Sequence, residues 1–148
     1  MGTPMIKQAT TTEIHQVARL AQELWPENTV TSLEAEMHES LNQSDTAFFL
    51  YYADNQAVAF AHAQLRHDYV EGTISSPVGY LEGIYVQSYF RKQGIAGQLL
   101  DTCQLWAKRK GCTEFASDCE LTNTESLKFH LSHGFIEANR IICFTKTI

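Results

Sequence analysis

Hydrophobic positions along the chain change their period twice, and the changes outline the fold. Residues 5–9 read as a short first strand. Thr10-Thr11-Thr12-Glu13 then has the spacing of a capping box, and Ile14, Val17, Ala18, Ala21, Leu24 and Trp25 recur at helical intervals. Pro26 ends that run, because a residue before proline is pushed out of the helical region. A second capping signal, Thr31-Ser32-Leu33-Glu34, opens a helix with Leu33, Met37, Ser40 and Leu41 on one face. From residue 46 the pattern becomes that of strands. Segments 46–53 and 57–66 are aromatic, β-branched or alternating, and Asp54-Asn55-Gln56 between them is a turn, so an antiparallel hairpin is expected.

Segment 69–78 carries Gly72, Ser75, Ser76 and Pro77 and reads as a loop leading to a central strand over 79–87. Ala96, Leu99, Leu100, Cys103, Trp106 and Ala107 form a long helical stripe that stops at Lys108-Arg109-Lys110-Gly111, where basic residues meet the helix dipole and glycine terminates it. Residues 113–117 read as a fifth strand, Asn123 as the cap of a fourth helix reaching Ser132, and Gly134-Phe135 as the turn into two closing strands. This order predicts an α+β fold, a mixed sheet flanked by helices with one βαβ crossover. A single domain over 5–148 is expected, with residues 1–4 an extension ahead of a start at Met5.

A chain of 148 residues with 44% hydrophobic and 19% charged residues can bury a core without staples. A net charge of −6 argues against a nucleic-acid binder and suits a cationic small molecule. Cys103, Cys112, Cys119 and Cys143 lack paired or metal-finger spacing, and neither a signal segment nor a membrane-spanning run is present, so a cytoplasmic protein with reduced thiols is expected. A buried hydrophobic role for these cysteines is favoured over a nucleophilic one. His130 and His133 have no third ligand at metal spacing, and no metal is expected.

The most telling chemistry lies where the central strand breaks into Arg91-Lys92-Gln93-Gly94-Ile95-Ala96-Gly97-Gln98. Backbone N–H groups at a helix N-terminus, beside two basic side chains, form a phosphate site. The order Arg-x-x-Gly-x-Ala, and the agreement of the whole element order, resemble the Gcn5-related N-acetyltransferases. The resemblance implies that residues 93–98 bind the pyrophosphate of acetyl-CoA with Arg91 and Lys92 beside them. It also implies splayed fourth and fifth strands and backbone contacts from Ile84, Tyr85 and Val86 to the pantetheine arm and thioester. Gly83 is the expected position of a bulge in that strand. Asn123 reads first as a helix cap; by resemblance it also meets the pantetheine.

Glu82 sits among apolar neighbours, and simple alternation puts it on the face of Ile84 and Val86. It is either a residue of the polar surface or a group that holds or deprotonates an ammonium. Asp118 ends the fifth strand, as a terminating or capping residue or as a site group. In Phe129-His130-Leu131-Ser132-His133-Gly134-Phe135, His130 stands where the family usually carries the tyrosine that protonates the departing thiolate, and a histidine is capable of that role.

Within the family, Tyr69-Val70-Glu71-Gly72-Thr73, the run from Ser76 to Val86, Trp25 and Cys112-Thr113-Glu114-Phe115-Ala116-Ser117-Asp118 resemble the aminoglycoside 6'-N-acetyltransferases. That resemblance implies an acceptor site lined by Trp25, Tyr69, Glu82 and Asp118, with a further acid after the Gly-Phe element, where Glu137 and Asn139 lie. It also implies a homodimer and direct acetyl transfer, Glu82 or Asp118 taking the ammonium proton. Another small amine as acceptor, and a non-catalytic acyl-CoA-binding protein, are the alternatives.

Overall fold

The computed structural model describes residues 2–148; Met1, within the 1–4 extension, lies outside the described residues. In chain order the elements are β1 (Met5–Gln8), α1 (Ile14–Leu24), α2 (Val30–Leu41), β2 (Thr46–Ala53), β3 (Gln56–Arg66), β4 (Val78–Val86), a 3-10 turn at Ser88–Phe90, α3 (Ile95–Arg109), β5 (Phe115–Ser117) and α4 (Thr124–Ser132). The sheet runs β1-β2-β3-β4-β5. Its first three pairings are antiparallel and β4–β5 is parallel, closed by α3 as the expected crossover.

Local chemistry explains where the helices start. Glu13 accepts the Thr10 N–H at 2.8 Å and the Thr10 hydroxyl at 3.0 Å, which is one half of the expected capping box; the Glu13 N–H bonds to the Thr10 carbonyl at 3.0 Å and not to its hydroxyl. The Thr10 N–H, then Lys7 at 3.1 Å, hold the buried Glu13 carboxyl below its ordinary range. The cap of α2 lies earlier than expected. Thr29 keeps the extended conformation a cap needs and accepts the Ser32 N–H at 3.1 Å, whereas Thr31 is already helical. Asn123 caps α4 through the Ser126 N–H at 3.1 Å.

Alternation along the strands divides the core into two layers. Ala59, Ala61, Ala63 and Leu81 face α3, where they meet Leu99, Leu100, Cys103 and Trp106. Phe48, Leu50 and Phe60 face α1 and α2, against Ile14, Val17, Leu33 and Met37. Burial pushes the Cys103 thiol up to about 12, so it fills space and is no nucleophile.

The two closing strands expected after Gly134-Phe135 do not form. Residues 136–148 belong to no strand and lie exposed, with Ile142 at 80% and Phe144 at 86%. The edge strand β5 pairs with β4 over only three residues, and no layer of this chain covers the side chains of 141–148. A ribbon with neither face packed is at best marginally stable in water.

Candidate active site

The register of β3 against β4 steps from Ala63↔Leu81 to His62↔Gly83, leaving Glu82 without a partner opposite it. This is a bulge, one residue before the glycine expected to carry it, and it resets the alternation. Leu81, Ile84 and Val86 all pack on the α3 side, whereas Tyr85 joins the α1–α2 layer. Glu82 therefore does not share a face with Ile84 and Val86, as uninterrupted alternation predicted. It meets Arg66, which alternates in phase with Phe60 and His62 on the α1 side. A Cβ on Gly83 would lie 2.8 Å from Cη2 of Trp25, so the glycine lets the indole rest on the strand. The same indole meets Phe60 edge-on at 6.3 Å between ring centres.

Four polar side chains form a connected group on this face. Arg66 donates from Nε to Glu82 Oε2 at 3.0 Å and from Nη2 to Glu82 Oε1 at 2.7 Å. Its guanidinium lies 3.4 Å above the centre of the Tyr80 ring. The Tyr80 hydroxyl donates to the carboxylate of Asp118. Burial first, then the bond to Asp118, raises the Tyr80 pKa, so the phenol stays protonated and remains a donor. Glu82 and Asp118, singled out separately in the sequence, are thus joined through Arg66 and Tyr80. Neither connecting residue was singled out in the sequence, where Arg66 only ends the segment 57–66 and Tyr80 only lies in the central strand.

A gap opens along the edge of β4 that faces β5. Pairing with β5 stops at Leu81↔Ser117, while β4 continues to Val86. The Gln87 N–H bonds to Val58 on β3 at 3.0 Å, so by antiparallel alternation the N–H groups of Ile84 and Val86 point away from β3, into the gap. Tyr85 offers the gap neither group: by the same alternation its N–H and carbonyl face β3, and its hydroxyl donates to Glu23 at 3.1 Å on the opposite face.

Beyond the gap, Arg91, Lys92, Gln93 and Gly94 are exposed and lead into α3 at Ile95, Ala96, Gly97 and Gln98. Lys92 has φ +61° and Gly94 φ +79°, both in the left-handed region just ahead of the helix. Arg91 has a structural task besides any phosphate contact: its Nε donates to the Val86 carbonyl at 2.8 Å, tying loop to strand. A Cβ on Gly97 would lie 2.8 Å from Nε2 of His133, so this glycine leaves room for the ring of the residue that ends α4 to rest on α3.

His130 reaches the gap from α4. Its Nδ1 lies 2.6 Å from the Ser126 carbonyl, which can only accept, so Nδ1 carries the proton. Its Nε2 meets the Ser117 hydroxyl at 2.8 Å. Ser117, at the end of β5 and beside Asp118, is a further site residue the sequence did not single out. Tyr69 stands 76% exposed on the loop before β4. Glu137 pairs with Arg140 at 2.8 Å, and Asn139 donates to Glu71 at 3.2 Å. Neither Glu137 nor Asn139 touches the Arg66 group. Among the described residues no group of three His, Cys, Asp or Glu side chains is placed to hold a metal ion.

The Acetyltransferase (GNAT) family model matches residues 14–135, from the first residue of α1 to the turn after α4. The chain belongs to the GNAT family. Within it, this chain is 41% identical over 97% of its length to an aminoglycoside N(6')-acetyltransferase type 1 from Acinetobacter haemolyticus, covering 98% of that protein. It is 42% identical to the enzyme of the same name from Salmonella enteritidis, over 95% of this chain and 97% of the other. Among solved GNAT structures, AAC(6')-Iy in complex with the bisubstrate analogue CoA-S-monomethyl-acetylneamine superposes with a TM-score of 0.94 at 40% identity, covering 99% of this chain and 100% of that one.

Proposed function

We propose that this protein is an aminoglycoside 6'-N-acetyltransferase, moving the acetyl group of acetyl-CoA to the 6'-amine of aminoglycoside antibiotics and so conferring resistance. The observation that carries this reading is full-length identity of about 41% to enzymes of that name. The geometry supports it with two carboxylates, Glu82 and Asp118, linked beside a gap between strands. Acids and aromatic faces are the groups that recognise a polycationic sugar. Trp25 and Tyr69 are assigned to its rings, and Glu137 and Asn139 to the outer edge of the site.

In the proposed reaction the acceptor ammonium docks against Glu82 and Asp118 and gives one proton to a carboxylate or to an adjacent water. The neutral nitrogen attacks the thioester carbon and the Val86 N–H receives the oxyanion that forms; as that intermediate collapses, C–S breaks and the nitrogen gives its second proton to water, leaving the amide. The thiolate takes a proton either from solvent or from His130 in its doubly protonated form, whose Nε2 gives its proton through the Ser117 hydroxyl while Nδ1 keeps its own. The N–H groups of residues 93–98, with Arg91 and Lys92, are assigned to the pyrophosphate, those of Ile84 and Val86 to the thioester end, and Asn123 to the pantetheine.

The test is a steady-state panel of acceptors with acetyl-CoA: aminoglycosides, linear polyamines and peptide N-termini. The reading expects the highest kcat/KM for aminoglycosides. A polyamine or peptide preferred over every aminoglycoside would overturn the acceptor, and tight CoA binding without acetylation of any amine would overturn the enzyme.

A homodimer is proposed as well, supported by the exposed apolar side chains of Ile141, Ile142, Phe144 and Ile148 in a segment that joins no strand. A cytoplasmic location fits the four unpaired cysteines; no helix among the described residues is long and apolar enough to cross a membrane.

A further inference from the structure

We infer that Arg66 is a positioning residue of the acceptor site: with Tyr80 it forms a strut that fixes both Glu82 and Asp118 and leaves each carboxylate a free side toward the substrate. The inference rests on the proposed transfer to a cationic amine and goes beyond it by adding two residues with a defined task.

Three observations carry it. First, the Arg66–Glu82 contact is bidentate, at 3.0 Å and 2.7 Å, through Nε and Nη2. A carboxylate has about four acceptor positions, and a side-on guanidinium occupies two of them. The remainder lie on the side where Glu82 keeps 19% of its side-chain exposure, open to an ammonium. Second, Arg66 lies face-on over Tyr80 at 3.4 Å, so the ring sets the plane of the fork that grips Glu82. Third, the same Tyr80 ends in a hydroxyl bonded to Asp118, which otherwise stands exposed at the end of β5. The strut thus runs from the bulge of β4 to the end of β5, across the two strands that part to admit the thioester.

The charges make the arrangement purposeful. Two carboxylates near one another repel, and Arg66 offsets one of them while the protonated Tyr80 adds a neutral donor. The four side chains together carry one net negative charge, a match for one acceptor ammonium. An exposed ion pair on its own contributes little to stability, so a plain surface salt bridge would leave kinetics unchanged when removed.

The experiment compares wild type, Arg66→Ala, Arg66→Lys, Tyr80→Phe, Glu82→Gln and the Arg66→Ala/Glu82→Gln double variant. Each is measured for kcat and KM toward an aminoglycoside, for KM toward acetyl-CoA, and for thermal unfolding. Arg66→Ala is expected to lose roughly tenfold or more in kcat/KM for the aminoglycoside, the scale of a lost charged hydrogen bond, with the acetyl-CoA KM unchanged. Arg66→Lys should recover part of that loss, since it restores charge without the fork. Tyr80→Phe, which keeps ring and fold, should lose a smaller part. The double variant should be no worse than Glu82→Gln by more than about twofold, because the two residues act as one unit.

Losses that multiply in the double variant, an aminoglycoside kcat/KM for Arg66→Ala within twofold of wild type, or equal damage to both substrates would each overturn the assignment. If Arg66→Ala fails to fold, Arg66→Lys and Tyr80→Phe decide by the same split between substrates. Should wild type acetylate no aminoglycoside, the functional reading fails on that result alone, and Arg66 is judged with the amine that wild type acetylates fastest.

Discussion

At the scale of single residues, the bulge at Glu82 separates what the sequence revealed from what it hid. Glycine after an acid inside an apolar strand pointed to a backbone irregularity, and one is present. Its consequence was not legible, because a one-residue slip inverts every following side chain, and only the pairing with β3 shows where the slip occurs. Arg66 was hidden for a related reason: its partner lies 16 positions away and faces it only through that bulge. His62 is another residue without a sequence signal. It stacks on Phe48 at 4.3 Å, and its buried Nε2 has no hydrogen-bond partner. Burial lowers its pKa to about 4, so the folded protein holds it neutral while the unfolded chain titrates near 6.5. Its contribution is complete above the unfolded value and is lost as pH falls from there toward 4. Urea unfolding at pH 7.5 and pH 5 should show wild type losing about 2 kcal/mol more than His62→Phe between the two. Equal losses in the two proteins would remove His62 as the source.

At the scale of elements, the first two helices, the hairpin, the crossover helix and the last helix followed from caps, period and punctuation, which are local signals, although α2 is capped at Thr29 and not at Thr31. The loop between β4 and α3 belongs to this class, because its Gly94 sits at φ +79° and a Cβ added there would meet nothing within 4 Å. Steric room there is ample, so only the backbone conformation demands glycine. Gly94→Ala should therefore cost about 1–2 kcal/mol in stability, the penalty of a left-handed residue with a Cβ. It should also raise the Kd for CoA several-fold as the N–H groups lose their aim, measured by calorimetry. Unchanged CoA affinity would mean that the turn does not shape the phosphate site. The closing strands were misread for the opposite reason. Their apolar, β-prone sequence is real, but whether such a segment pairs depends on a partner, and within this chain it has none.

At the scale of the whole molecule, the acidic composition, the family and the linked carboxylates agree on a cationic acceptor, while the number of copies that assemble rests on the segment 136–148. Sedimentation at micromolar concentration should show a dimer. Charged replacements at Ile142 and Phe144, both exposed here, should return it to a monomer. A wild-type monomer under those conditions would refute the assembly. The fold was legible because its elements are written in local signals, and the loop proposed for the donor because it is one contiguous motif. The proposed acceptor site was legible only in part, since its residues come from the end of α1, β3, β4 and the end of β5. The measurement that bears most directly on the central claim uses a matched pair of aminoglycosides that differ only in carrying an amino or a hydroxyl group at the 6' carbon. With acetyl-CoA, the account predicts steady turnover of the amine, a single acetyl group on its 6' nitrogen by NMR, and no N-acetylation of the hydroxyl congener. Equal rates for the two, or acetylation at another nitrogen, would contradict it.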